Sequence, residues 1–215
     1  MNEIRNLASI LIRPRETMRR ILDQPRDRMV FLLAFLGGIS GALADRKTGN
    51  LPAALEATPW AVPIMIFVTL AVALLMALVF YGLSWVAMLA GRAFEGQGTI
   101  REARSALAWG LAPAVWALLY RVPLALLFPR ATTDAVRVSD ASVRISGFDF
   151  SSMGVGCVVA LLDLAVLIWY LIIGSAAMGE AHRFSNGRGF AVLLMTWAAP
   201  VIVLIAAVIS LATRH

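Results

Sequence analysis

One cysteine, one lysine and two histidines leave little material for the commonest protein chemistries. Cys157 stands alone in an apolar run and cannot form an internal disulfide, so it says nothing about redox compartment. His182 and His215 are the only imidazoles, and the arrangement derived below puts them on opposite faces, so no metal site is expected and no other cofactor is implied. No glycine-rich phosphate loop follows a strand; Gly96 and Gly98 make only a turn. Charged residues are scarce at 15%, against 60% hydrophobic and a mean hydropathy of +0.80, which excludes the ordinary soluble class. The net charge of +6 is almost wholly arginine, but no basic stripe interleaves with aromatics, so nucleic acid is not an expected partner. The first 28 residues also lack the apolar core of a cleavable signal and read as retained.

What the chain does have is length without charge. From Ala57 to Gly91 no residue is ionisable in the neutral range, far more than the ~20 apolar residues that cross a hydrocarbon core. The other apolar blocks read as its companions, giving an all-α polytopic transmembrane helical bundle of about five spans: 29–44, 60–90, 100–120, 153–178 and 190–212. The first is short, ~24 Å at helical rise, and its Gly37 and Gly41 have the spacing that lets another helix approach closely. Thr99 and Glu102 make a capping box, so the third span starts at Ile100. Pro113 and Pro200 should kink the third and fifth spans. Asp45 to Thr58 reads as a polar loop, and Val136 to Ile145 carries a weak hairpin signal within the polar 130–150 connection. Residues 122–129 fit either an interfacial segment or an irregular continuation of the third span.

Residues 1–28 form an arm before the 29–212 bundle. Within it, Arg13 to Leu22 reads as a helix with Pro14 at its first position. Met18, Ile21 and Leu22 share one face, with Arg15 and Arg19 elsewhere, the pattern of an interfacial amphipathic helix whose arginines meet anionic headgroups. The alternative is a solvated arm whose charges only fix orientation. Counting arginine and lysine, the arm and the loops on its side carry twelve and the opposite side seven, which puts the arm in the cytoplasm and, with five spans, the C-terminus outside.

The sequence echoes itself. Gly91-Arg-Ala-Phe-Glu-Gly-Gln-Gly leads to Trp109 and Pro113, and Gly179-Glu-Ala-His-Arg-Phe-Ser-Asn-Gly leads to Trp197 and Pro200. Spans two and three would then repeat as spans four and five in the same orientation. With the arm Arg13-Pro14-Arg15-Glu16-Thr17-Met18-Arg19-Arg20-Ile21, these two segments make the chain resemble the bacterial branch of the Yip1 family, over roughly Ile12 to Ala207. The resemblance implies a five-span fold with a cytoplasmic N-terminus, in a bacterial inner membrane. Eukaryotic relatives bind Rab-type GTPases, but their acidic Asp-Leu-Trp-Gly-Pro-like segment has no counterpart here, and that binding does not carry over.

Three constellations invite chemistry. Gly38-Ile39-Ser40-Gly41 matches the Gly-x-Ser-Gly of rhomboid-type proteases, yet its only candidate base, His182, lies in a loop at the cytoplasmic side; helix packing accounts for it better. Arg15, Arg19, Glu180, His182 and Arg183 gather on that side as a candidate interaction surface. Asp163, near a helix centre, costs ~3 kcal/mol unpaired. It reads as a tie between spans, a proton or ion pathway, or a residue protonated facing lipid. Its expected partner is Arg121, with Tyr81, Ser84 or water as alternatives. The expectation is a non-enzymatic membrane organiser of lipids or other membrane proteins. Its rival is a small transporter or channel with a site between the two repeats, and an intramembrane protease comes last.

Overall fold

The computed structural model describes residues 2–24, 26–44, 60–127 and 150–212, and all eight elements there are helices. They are α1 (Asn2–Ile12), α2 (Pro14–Asp23), α3 (Asp27–Ala44), α4 (Ala61–Ala93), α5 (Ile100–Gly110), α6 (Ala112–Leu127), α7 (Phe150–His182) and α8 (Asn186–Ala212). The Asp45–Thr58 loop and the weak hairpin signal at 136–145 lie outside the described residues. Among the described residues five stretches are long and apolar enough to cross a membrane: Asp27–Ala44, Val62–Ala93, Ile100–Leu126, Gly156–His182 and Asn186–Ser210. They leave large apolar side chains such as Leu78, Leu161 and Ile202 facing outward, as hydrocarbon-facing helices do.

The third stretch is two helices rather than one kinked one. α5 begins at the capping box, where Thr99 Oγ1 accepts from the Glu102 N–H and the Glu102 carboxylate accepts from the Thr99 N–H at 2.7 Å. It stops at Gly110, because Pro113 would clash with the carbonyl of Trp109 and cannot donate to it. Leu111 donates to the Ala108 and Trp109 carbonyls, and α6 restarts with Pro113 in its first turn, where a missing N–H costs nothing. α6 then continues through Pro123 to Leu127, so residues 122–127 are the helical continuation. Pro200 lies inside an uninterrupted α8.

α5 is the axis of the core: Ala103, Ala106, Leu107, Ala108 and Trp109 are all buried, and its small residues let neighbours come close. A Cβ on Gly110 would stand 3.3 Å from the Gly174 Cα, so α5 and α7 nearly touch backbone to backbone. In α3 the close approach is at Gly38, where a Cβ would lie 2.9 Å from the Ala73 carbonyl oxygen of α4. Gly37 meets Leu111, but Gly41 has nothing within 4 Å. The expected Gly37–Gly41 pair is thus corrected: Gly38 carries the helix contact, since Gly41 turns to an open face.

The arm is a helical hairpin. α1 was not anticipated in the polar first residues, yet Ile10 is fully buried and Leu7 and Leu11 pack beside it. Trp116 of α6 and Trp169 of α7 donate their indole N–H to the Leu7 and Leu11 carbonyls, each at 3.2 Å. Ser9 and Thr17 share a hydrogen bond of 2.5 Å that joins α1 to α2. In α2, Met18 is fully buried and Ile21 nearly so, in the same core as α3, α5 and α7. The amphipathic helix forms where expected, and its apolar face lies on the bundle rather than in lipid.

Candidate functional site

α4 and α7, each 33 residues long, bring their C-terminal ends together at the base of the bundle. At the first end, Gly96 N–H donates to the Gly91 carbonyl (2.8 Å) and Glu95 N–H to that of Arg92 (2.9 Å), with Glu95 at φ 65°. At the second, Phe184 N–H donates to Gly179 (2.6 Å) and Arg183 N–H to Glu180 (3.2 Å), with Arg183 at φ 62°. These are two Schellman caps in the same register, counted from Gly91 and from Gly179. Each places a non-glycine residue in the left-handed region, a cost of about 1 kcal/mol. The caps also shorten the connections: helix runs to Ala93 and His182, where the glycine-rich sequence predicted loops.

His182 occupies the seam between the caps. Its ring lies against Gly91, Gly96 and Gly98; a Cβ on Gly98 would stand 2.5 Å from Nδ1, and one on Gly91 would run into the ring. On its other side it stacks on Phe184, with centroids 5.8 Å apart. It is 1% exposed, and neither ring nitrogen has a hydrogen-bond partner among the described residues. His182 is therefore not on the interaction surface to which the sequence assigned it. Three missing Cβ atoms open a slot, and the imidazole fills it.

The other four residues of that set do meet at this end. Glu180 takes Arg15 Nε at 3.2 Å and Arg19 at 3.3 Å, while Arg15 Nη2 donates to the Phe184 carbonyl at 2.6 Å. The Glu180 side chain is only 13% exposed, so this carboxylate is compensated by two guanidinium groups rather than by water. Arg183 Nη1 reaches across to Gln97 Oε1 of the first turn (3.1 Å), and Arg188 lies over the Phe184 ring. Gln97, Phe184 and Arg188 were not singled out from the sequence. The register of the repeat was the signal available for the first two.

A second polar group ties three helices together. Arg121 Nη2 donates to Asp163 Oδ1 at 2.7 Å and Arg121 Nε to the same oxygen at 3.2 Å. Tyr120 adds its hydroxyl to Oδ1 at 2.5 Å. Arg121 Nη1 turns the other way, to the Ser40 hydroxyl (2.7 Å) and carbonyl (3.0 Å), and Ser40 Oγ donates to the Ala114 carbonyl. Thus α3, α6 and α7 share one network. Neither alternative partner enters it: Ser84 Oγ donates to the Phe80 carbonyl, and Tyr81 lies under Arg104 at 4.7 Å.

Ser40 is held by Arg121 and Ala114 while His182 sits in the glycine slot, so the two residues of the protease reading are not brought together. Among the described residues no group of three His, Cys, Asp or Glu side chains is placed to hold a metal ion.

A family model, the Yip1 domain, matches residues 8–208, which takes in most of the arm, four of the apolar stretches whole and the fifth up to residue 208. No curated protein and no solved structure matches the chain. The five candidate spans and a family match over nearly the whole length agree, and the chain is a multi-pass membrane protein that belongs to the Yip1 family.

Proposed function

We propose that this protein is a non-enzymatic scaffold that presents a docking surface for other membrane-associated proteins. One observation carries the reading: the arm and both hairpin turns join into a single face through Glu180, Arg15, Arg19, Phe184 and the Arg183–Gln97 contact. A surface assembled from segments so distant in sequence is a composite epitope, whereas a solvated arm needs no such joints. It exposes Arg19 and Arg183 beside well-held neighbours, the type of guanidinium that anchors acidic partners. The excess of arginine on this side supports a cytoplasmic position for the face.

The rival reading, a transporter with a site between the hairpins, draws on Asp163, whose side chain stays 35% exposed. There the Arg121 guanidinium and the Tyr120 hydroxyl both bond one carboxylate oxygen, the arrangement of a structural tie. The scaffold reading is tested with a photo-crosslinking residue placed at Arg19 or Arg183 in intact membranes. The expected result is a discrete protein adduct from both positions that Glu180→Arg removes. Adducts absent from both sites, or unchanged by Glu180→Arg, would refute the scaffold.

A further inference from the structure

A cavity of about 360 Å³ lies under the arm, between α1, the end of α2, the start of α3 and α5. That volume is within the range of about 300–1,000 Å³ typical of small-molecule sites. Its floor is apolar, with Ile21, Met29 and the buried Trp109. Its rim holds charges of both signs. Arg26 and Glu3 pair with each other at 2.7 Å and cancel. Arg20 has only an exposed contact to Glu16 at 3.4 Å, outside the cavity. Arg5 and Asp23 enter no ion pair among the described residues. The lining is left with two guanidinium groups available to an anion, one free carboxylate, and the amides of Asn6 and Gln24.

From this lining we infer a binding site for a monoanionic phosphodiester that carries hydroxyl groups, the chemistry of a glycerol-type phospholipid headgroup. Arg5 and Arg20 take the phosphate oxygens, since guanidinium forks match them in charge and geometry. Asp23, Asn6 and Gln24 accept hydroxyl protons. The free carboxylate disfavours a second negative charge, so a phosphate monoester is rejected, and the surplus of one positive charge disfavours a neutral zwitterion. Met29 stands at the head of α3, a membrane-crossing stretch, so a lipid lying along α3 would set its headgroup at the cavity mouth. The inference is independent of the scaffold reading.

The test is native mass spectrometry of the full chain in neutral detergent with equimolar phosphatidylglycerol, phosphatidylethanolamine and phosphatidic acid. One phosphatidylglycerol should be retained in preference to the other two. Arg5→Gln with Arg20→Gln should cut retention about a hundredfold, two charge-assisted contacts at about tenfold each. Arg92→Gln with Arg188→Gln removes the same charge away from the cavity lining and should leave retention unchanged. Asp23→Asn removes the rejecting carboxylate and should admit phosphatidic acid, an outcome that does not depend on the double variant folding. Glycerophosphoglycerol at millimolar concentration separates the two sources: displacement of the lipid assigns a soluble phosphodiester, and no displacement assigns the membrane lipid. Equal retention of all three lipids, or retention indifferent to Arg5 and Arg20, overturns the site.

Discussion

Replacing Asp163 with Ala leaves the Arg121 guanidinium, 9% exposed, buried in the bundle without its counter-charge and with Ser40 as its hydrogen-bond partner. Replacing Arg121 leaves a carboxylate with one phenol. Breaking such a pair from either side costs about 3–5 kcal/mol where burial is complete, and Asp163 is open enough to fall below that. The expected result is a marked loss of folded yield in detergent for either single alanine variant and a smaller loss for the double variant than the singles sum to; strict additivity would show that the pair does not act as one unit. The sequence made half of this legible. A lone acid in an apolar run demands a cation, and Arg121 was the neighbour in reach. Ser40 and Tyr120 were not legible, because a hydroxyl beside a small-residue stripe or an arginine looks like packing until the helix faces are known. His182 failed the other way: polarity implied exposure, and the glycines that bury it lie in a different hairpin.

Among the elements, boundaries followed local chemistry and orientations did not. The capping box at Thr99 and Pro14 at the head of α2 are read by the backbone within one turn, so they were visible in advance. α1 was missed because its apolar residues alternate with Glu3, Arg5, Asn6 and Ser9 in a short segment and gain meaning only where the helix docks beside Trp116 and Trp169. Gly38 and Gly41 give a clean test of which face of α3 meets α4. Gly38→Ala should force the helices apart and lower the melting temperature by several degrees, since the atom it meets is backbone. Gly41→Ala meets nothing and should be neutral or stabilising by about 0.5–1 kcal/mol from helix propensity. For the arm, Met18→Asp buries an unpaired charge and should undock α1 and α2 together. Limited proteolysis should then cut near Arg13 with the remaining bundle intact; wild-type resistance in the variant would mean the arm is held by its ion pairs and the α1 contacts without Met18.

At the scale of the molecule, the internal echo resides in the turns. Trp109 and Trp197 fall at the same distance from their glycines, but one is 2% and the other 45% exposed, and the prolines interrupt α5/α6 and leave α8 whole. Shared backbone requirements keep a cap recognisable, while each span adapts to its own neighbours. Five spans put the two turns on the arm's side. Single cysteines at Gln97 and Asn186, with Cys157 replaced by Ser, should be shielded from an impermeant thiol reagent added outside cells, and cysteines at Lys47 and Ser139 should react; the reverse pattern would invert the topology. Gly91→Ala should collide with His182 and lower folded yield sharply, with partial recovery in Gly91→Ala/His182→Ala. The joint between arm and turns also has an order in time. Arg19 leaves the ribosome first, and Glu180, its anchor, follows 161 residues later. The arm can meet α3, α5 and Trp116 early, but its joints to α7 and Glu180 stay open through the insertion of four membrane segments, and their closure marks a nearly finished chain. A product ending before residue 180 would lack the Glu180 anchor and leave Arg15 and Arg19 without their shared carboxylate, so the joint distinguishes a finished chain from an unfinished one.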